Sequence, residues 1–229
     1  MIDKTVASPE AAVADIPDGA TIMIGGFGAA GQPAELIDAL IAQGATDLTI
    51  VNNNAGNGET GLAALLKARR VRRILCSFPR QVDSQVFDAL YRTGAIELEL
   101  VPQGNLAERI RAAGAGIGAF FTPTGYGTEL AEGKETRIID GRPYVLEYPI
   151  RADFAFIKAL RADRWGNLVY RKTARNFGPV MATAARCTIA QVSEVVDLGD
   201  LDPEAVATPG IFVKRVVQVA GRAVDARVA

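Results

Sequence analysis

Between residues 17 and 113, short apolar runs alternate four times with helix-length amphipathic stretches, and no other feature of the chain constrains its fold as tightly. Residues 20–24, 48–51, 71–77 and 96–101 read as strands because each is short, rich in Val, Ile or Leu, and bounded by turn formers. Residues 34–42, 61–68, 84–92 and 106–113 read as helices; Leu36, Ile37, Leu40 and Ile41, for example, share one face. Repeated βα units return each strand in the same direction, which dictates a largely parallel sheet. The four strand exits are polar or turn-forming: Gly25-Gly26, Asn52-Asn53-Asn54, Phe78-Pro79-Arg80 and Pro102-Gln103-Gly104. Parallel strands deliver such exits to one edge, where open α/β sheets keep their sites.

Beyond Gly118 the pattern changes. Asp140-Gly141 between Arg137-Ile138-Ile139 and Tyr144-Val145-Leu146 signals a β-hairpin. Residues 154–159 and 168–170 form a second pair around Asp163-Arg164-Trp165-Gly166-Asn167. Residues 178–185 read as a helix, and 188–192 and 211–219 as strands. No clean linker or repeat interrupts the chain. The expected fold is therefore α/β, a mostly parallel sheet covered by helices on both faces, with a β-hairpin-rich segment in the second half. Residues 1–229 are expected to form a single domain.

Composition narrows the function. The 229 residues carry a formal net charge of −1, so no basic footprint invites nucleic acid. No run of some 18 apolar residues exists to cross a membrane, and the N-terminus lacks signal-peptide architecture. Cys76 and Cys187 are isolated and without metal-ligand spacing. A cytoplasmic protein with reduced thiols and no metal is expected. Histidine is absent, which removes the usual general base and the Ser-His and Cys-His pairs. The remaining chemistry belongs to carboxylates, amides, lysines and backbone donors, or to a residue of another chain.

The first strand exit runs Gly25-Gly26-Phe27-Gly28-Ala29-Ala30-Gly31, with Pro33 placed to begin a helix. Its G-x-G-x-x-G spacing admits a dinucleotide site, but such a site wants an acid at the end of the second strand. That strand ends in asparagines, and Asp47 lies at its other end. The nicotinamide reading therefore ranks below the alternatives. A tight turn drawing helix close to sheet accounts equally for each glycine.

Asp18-Gly19, the apolar residues 22–24, Gly25-Gly26-Phe27, Gly31 and Pro33 resemble the signature of the A subunit in the family I CoA-transferases. Further segments resemble the same polypeptide: Asn52-Asn53-Asn54-Ala55-Gly56, residues 101–111, Thr124-Gly125-Tyr126-Gly127-Thr128, Gly166-Asn167-Leu168 and residues 171–177. Cys76-Ser77-Phe78-Pro79-Arg80-Gln81 is similar to the branch that uses 3-oxoadipate rather than acetoacetate.

The resemblance implies transfer of CoA from succinyl-CoA to a 3-oxo acid, with acetoacetate the alternative acceptor to 3-oxoadipate. A glutamate in a Glu-Asn-Gly motif on a separate CoA-transferase B subunit would carry the covalent intermediate. This chain has no Glu-Asn-Gly, so it would supply half of a site in an αβ or α2β2 assembly. No cofactor is implied, the CoA thioester being a substrate.

Asn53 and Asn54 are candidate oxyanion donors, with ordinary turn chemistry as the alternative. Gln103 is a candidate to position substrate, or a surface glutamine. Gly25, Gly26, Phe27, Gly28, Ala29, Ala30 and Gly31 would meet CoA through backbone N–H groups and the following helix end. Arg80 would grip the distal carboxylate of 3-oxoadipate, or else is a solvated arginine or one paired to the other polypeptide. Arg171, Lys172 and Arg175 would offer charge to phosphates or form an interface. Two rival readings are a stand-alone sugar-phosphate isomerase or hydrolase, and a binding module that senses acyl-CoA.

Overall fold

The computed structural model describes residues 2–219. A short strand β1 (Thr5–Val6) and helix α1 (Pro9–Val13), capped by the Ser8 hydroxyl on the Ala11 N–H, precede the alternating region. The four expected units then follow: β2 (Thr21–Ile24) and α2 (Ala34–Gln43); β3 (Leu48–Val51) and α3 (Leu62–Lys67); β4 (Val71–Cys76) and α4 (Gln85–Arg92); β5 (Glu97–Leu100) and α5 (Gln103–Gly114). The second half contributes β6 (Phe120–Thr122), β7 (Thr136–Ile139), β8 (Arg142–Glu147), β9 (Ala152–Asp163), β10 (Leu168–Val169), α6 (Gly178–Ala184), β11 (Ala185–Val196) and β12 (Arg215–Gln218).

Eight strands lie in the order β1-β12-β11-β9-β2-β3-β4-β5, and every neighbouring pair along that path is parallel. From β2 the chain runs outward through β3, β4 and β5, and then returns to β9 on the other side of β2. The exit of β2 is thus a topological switch point, where a crevice opens because successive connections leave in opposite directions.

Alternate side chains bury on opposite faces, as the period of two requires. Ile22, Ile24, Ile50, Ile74, Phe154 and Phe156 face α1, α2, α3 and α4. Met23, Val51, Leu75, Ala155 and Ile157 face α5 and α6. The alanines at 155, 159, 162 and 190 on the second face admit close approach of α6, whose residues Met181 and Ala182 are buried there. Each fully buried large aliphatic or aromatic side chain contributes about 1.5–3 kcal/mol.

The β7–β8 hairpin turns through Asp140 and Gly141 at φ of 48° and 74°, the left-handed pair that a two-residue type I′ turn needs. With β6 it makes a separate antiparallel sheet, β6-β8-β7. Glu147 at the end of β8 ties that sheet to α5. Its side chain is 4% exposed, accepts from Lys134 Nζ at 2.8 Å and from Asn105 Nδ2 at 3.3 Å, and lies 3.7 Å from Arg109 Nε.

Several boundaries differ from the sequence expectation. β9 and β11 are twelve residues each rather than short strands, because they pair with one another almost end to end. The strand expected over 211–219 begins only at Arg215. Residues 210–212 instead form a single 3-10 turn, with Gly210 seated so that a Cβ would come within 2.3 Å of the Trp165 carbonyl oxygen. α5 begins three residues earlier than expected, at Gln103, with Pro102 as its N-cap residue.

Candidate functional site

All four strand exits contribute to one cleft of about 740 Å³, lined by Phe27 and Gly28 after β2, Asn53 after β3, Ser77 to Val82 after β4, and Gln103 after β5. Pro79 does not line it. Its rim is apolar: Phe27, Phe78 and Val82 are all largely exposed.

The three asparagines after β3 have separate tasks. Asn52 donates Nδ2 to the Ile24 carbonyl at 2.6 Å, fastening the β3 exit to the end of β2, while its Oδ1 accepts from the Asn54 N–H at 2.8 Å. Asn54 in turn accepts from the Gly56 N–H at 2.8 Å. These are Asx turns, which asparagine forms because its carbonyl reaches the amide two residues on. Asn54 is 2% exposed and is not among the cleft residues. Its Nδ2 is buried and, among the described residues, has no acceptor.

Asn53 lines the cleft. Its Oδ1 accepts from Ser77 Oγ at 2.7 Å and from Gln103 Nε2 at 2.8 Å, so both lone-pair directions are occupied. Among the described residues no acceptor faces its Nδ2, and two neighbours fix the carboxamide in the orientation that presents this N–H pair. Gln103 therefore sits beside Asn53 and orients it. Ser77, Phe78, Gln81 and Val82 belong to the same wall and had no role assigned from sequence; the polar exit of β4 was the signal that placed them there.

The glycine-rich segment is a tight hairpin. Phe27 and Ala30 exchange backbone hydrogen bonds at 3.0 and 3.2 Å, with Gly28 and Ala29 at the tip. Gly28 has φ of 59°, as a two-residue hairpin with glycine first demands. The Gly25 N–H donates to the Phe156 carbonyl and the Gly26 N–H to Asn176 Oδ1. Four of the seven amides are thus engaged within the protein. Among the described residues those of Gly28, Ala29 and Gly31 have no protein acceptor, and only Gly28 of the three lines the cleft. The first turn of α2 is also partly satisfied, since the Leu36 N–H donates to the buried Gln191 Oε1 at 3.3 Å.

Arg80 lies in the cleft wall and is ion-paired within the chain. Its Nε meets Asp88 Oδ1 of α4 at 2.6 Å, and this hydrogen bond raises the guanidinium pKa further. The bond is made through Nε, and the side chain as a whole is 59% exposed. Arg171, Lys172 and Arg175 are outside the cleft, in the segment before α6.

Among the described residues, none that lines the cleft carries a carboxylate, thiol or amine. Cys76 ends β4 close by, but burial pushes its thiol up to about 12, leaving no nucleophilic thiolate near neutrality. Glu59 pairs with Lys67 at 2.7 Å, and that hydrogen bond lowers its pKa. Asp47 stands at the start of β3 against Arg72, at the opposite end from the glycine hairpin. Among the described residues no group of His, Cys, Asp or Glu is arranged to hold a metal ion, and no helix is long and apolar enough to cross a membrane.

A sequence profile described as coenzyme A transferase matches residues 6–219. The chain is 72% identical over 223 residues to the A subunit of 3-oxoadipate CoA-transferase from Pseudomonas putida, covering 97% of this chain and 96% of that one. It is 51% identical to the A subunit of succinyl-CoA:3-ketoacid coenzyme A transferase from Xanthomonas campestris pv. campestris, over 93% and 88% of the two chains. An acyl-CoA transferase apoenzyme from Escherichia coli O157:H7 superposes with a TM-score of 0.84 at 25% identity; 95% of this chain matches 47% of that one, so it spans about half of that polypeptide.

Proposed function

The chain belongs to the coenzyme A transferase family, and from that premise we propose that it is the A subunit of an enzyme moving CoA from succinyl-CoA to 3-oxoadipate. The observation that carries the reading is the composition of the cleft: oriented donors line it, and no carboxylate does. The attacking glutamate then comes from a B subunit, in an αβ or α2β2 assembly without metal or prosthetic group.

The chemistry balances as four acyl exchanges. The partner's glutamate attacks succinyl-CoA, breaking the thioester to give an acyl-glutamyl anhydride and CoA thiolate. The thiolate attacks the glutamyl carbonyl, releasing succinate and leaving a glutamyl-CoA thioester. The acceptor carboxylate attacks that thioester, and the thiolate released then takes the acceptor acyl group and frees the glutamate. Each exchange passes through a tetrahedral oxyanion. In this reading Asn53 Nδ2 and the Gly28 N–H donate to it, one such donor being worth about 3–4 kcal/mol of barrier.

The identity to a relative named for 3-oxoadipate, 72% against 51% for one named for 3-ketoacids, supports this acceptor. So does Arg80, whose Nη edge offers the cation that a second carboxylate requires.

Co-expression with a B subunit, followed by assay of succinyl-CoA with 3-oxoadipate and with acetoacetate, tests the reading. Transfer requires both polypeptides and favours 3-oxoadipate. Full-rate transfer by this chain alone overturns the shared site; equal or greater use of acetoacetate overturns the acceptor.

A further inference from the structure

We propose that Asn176 is the positioning residue of the glycine hairpin, a single carboxamide that closes the base of the hairpin and holds Phe27 and Gly28 against the cleft. The inference rests on the reading of the cleft given above.

Four hydrogen bonds converge on this side chain. Oδ1 accepts from the Gly26 N–H at 3.2 Å and from the Phe177 N–H at 2.7 Å. Nδ2 donates to the Ala30 carbonyl at 2.9 Å and to the Thr173 carbonyl at 2.7 Å. Gly26 is on the entering leg of the hairpin and Ala30 on the leaving leg. Thr173 and Phe177 flank Asn176 in its own segment, so the clamp is anchored on one side and grips both legs on the other. Every acceptor and donor direction of the carboxamide is in use.

The two segments also touch directly. Gly31 has φ of 78°, and a Cβ there would come within 2.6 Å of the Ala174 carbonyl oxygen and 3.0 Å of Asn176 Nδ2. The glycine is present because the hairpin exit lies directly on the 172–175 turn. That turn is the part of the 171–177 motif to which the cleft chemistry gave no task.

The consequence reaches the site through Phe27. Phe27, like Gln103, lines both the cleft and a second, largely apolar hollow of about 330 Å³ whose wall includes Gly104, Ala107, Asn176, Phe177 and Val180. Releasing the base of the hairpin lets Phe27 and Gly28 leave the cleft wall they share with Asn53. Only a carboxamide satisfies the clamp. An aspartate keeps the acceptor but sets a second oxygen against two carbonyls.

The test is residue-resolved amide hydrogen exchange on the full chain in complex with the B subunit, comparing wild type with Asn176→Asp. The informative N–H groups are those of Phe27 and Ala30, which donate to each other's carbonyls and not to Asn176. Their exchange accelerates at least tenfold in the variant while Ile22 and Phe156 keep their protection, and kcat falls at least tenfold with KM for succinyl-CoA changed less than threefold. Unchanged exchange at Phe27 and Ala30 overturns the proposal, as does equal acceleration in the core strands, which marks a structural residue. Gly31→Ala, whose Cβ presses on the Ala174 carbonyl and on Asn176 Nδ2 while leaving the carboxamide itself in place, gives the same local signature and serves if Asn176→Asp does not fold; protected Phe27 and Ala30 in that variant overturn the proposal. Exchange needs no turnover, so the clamp is scored even if wild type fails to transfer CoA, an outcome that refutes only the functional reading.

Discussion

Gln103 Nε2 donates to Asn53 Oδ1 across 2.8 Å, joining the exits of two strands that are not neighbours in the sheet. With Ser77 on the same oxygen, it decides which atom of the Asn53 carboxamide faces the cleft.

Replacing Gln103 with Glu sets a carboxylate against Asn53 Oδ1 and turns the carboxamide, withdrawing the donor. Steady-state kinetics are expected to give a kcat lowered about a hundredfold, in keeping with loss of one oriented donor. Gln103→Ala and Ser77→Ala share one acceptor, so their effects on kcat combine non-additively in a double-mutant cycle.

Arg80→Ala removes the cation from the cleft wall. The KM for 3-oxoadipate is expected to rise roughly tenfold or more, the worth of a hydrogen bond to a charged group, while the KM for acetoacetate is nearly unaffected. Equal effects on both acceptors would remove Arg80 from acceptor recognition. Asp88→Asn loosens the guanidinium and produces a smaller change of the same sign.

Glu147→Ala removes the acceptor of Lys134 Nζ and Asn105 Nδ2 at the junction of α5 and the small sheet, while Arg109 keeps its pair with Glu99 at 2.8 Å. Urea unfolding should register a loss of about 1.5–3 kcal/mol, the worth of hydrogen bonds to a charged group.

Phe156 is fully buried in β9 beside β2. Phe156→Ala is expected to cost about 3–5 kcal/mol by calorimetry or urea unfolding, whereas Ile22→Val costs about 1 kcal/mol.

Burial raises the Cys76 thiol from 9.0 to about 12. The unfolded chain ionises first, so this group's contribution is complete below pH 9 and is lost as the pH climbs toward 12. Tyr170, raised from 10.0 to about 12 by burial, acts in the same sense. Thermal melts between pH 9 and 12 should fall more steeply for wild type than for Cys76→Ala, and the native thiol should resist alkylation at pH 8.

The alternating core of the fold was legible because strand and helix periods differ so clearly between residues 20 and 113, and the Asp140-Gly141 turn could hardly be misread. The lengths of β9 and β11 were not, since they follow from pairing between segments some thirty residues apart rather than from local pattern. β1 escaped notice for the same reason: two residues make no periodicity, and Thr5 and Val6 are strand only because β12 lies beside them; α1 is only five residues, too short for a period, although Ser8-Pro9 carries a helix-start signal. In the site, residue type indicated which exits would meet. It did not divide labour among three adjacent asparagines, because only the arrangement of neighbouring carbonyls and amides tells Asn53 from Asn52 and Asn54. Asn176 stood in a motif whose sequence carries no hint that residue 26 would be its partner.

The pairing of β1 with β12 sets Thr5 opposite Val216. On the ribosome, at about 5–20 residues per second, the N-terminal strand therefore waits on the order of ten to forty seconds for its mate to be synthesised. Until then it is an unclaimed ribbon tethered to α1. Deleting residues 2–7 would expose the flank of β12, an open template for a foreign strand, and the shortened protein should form oligomers by strand addition.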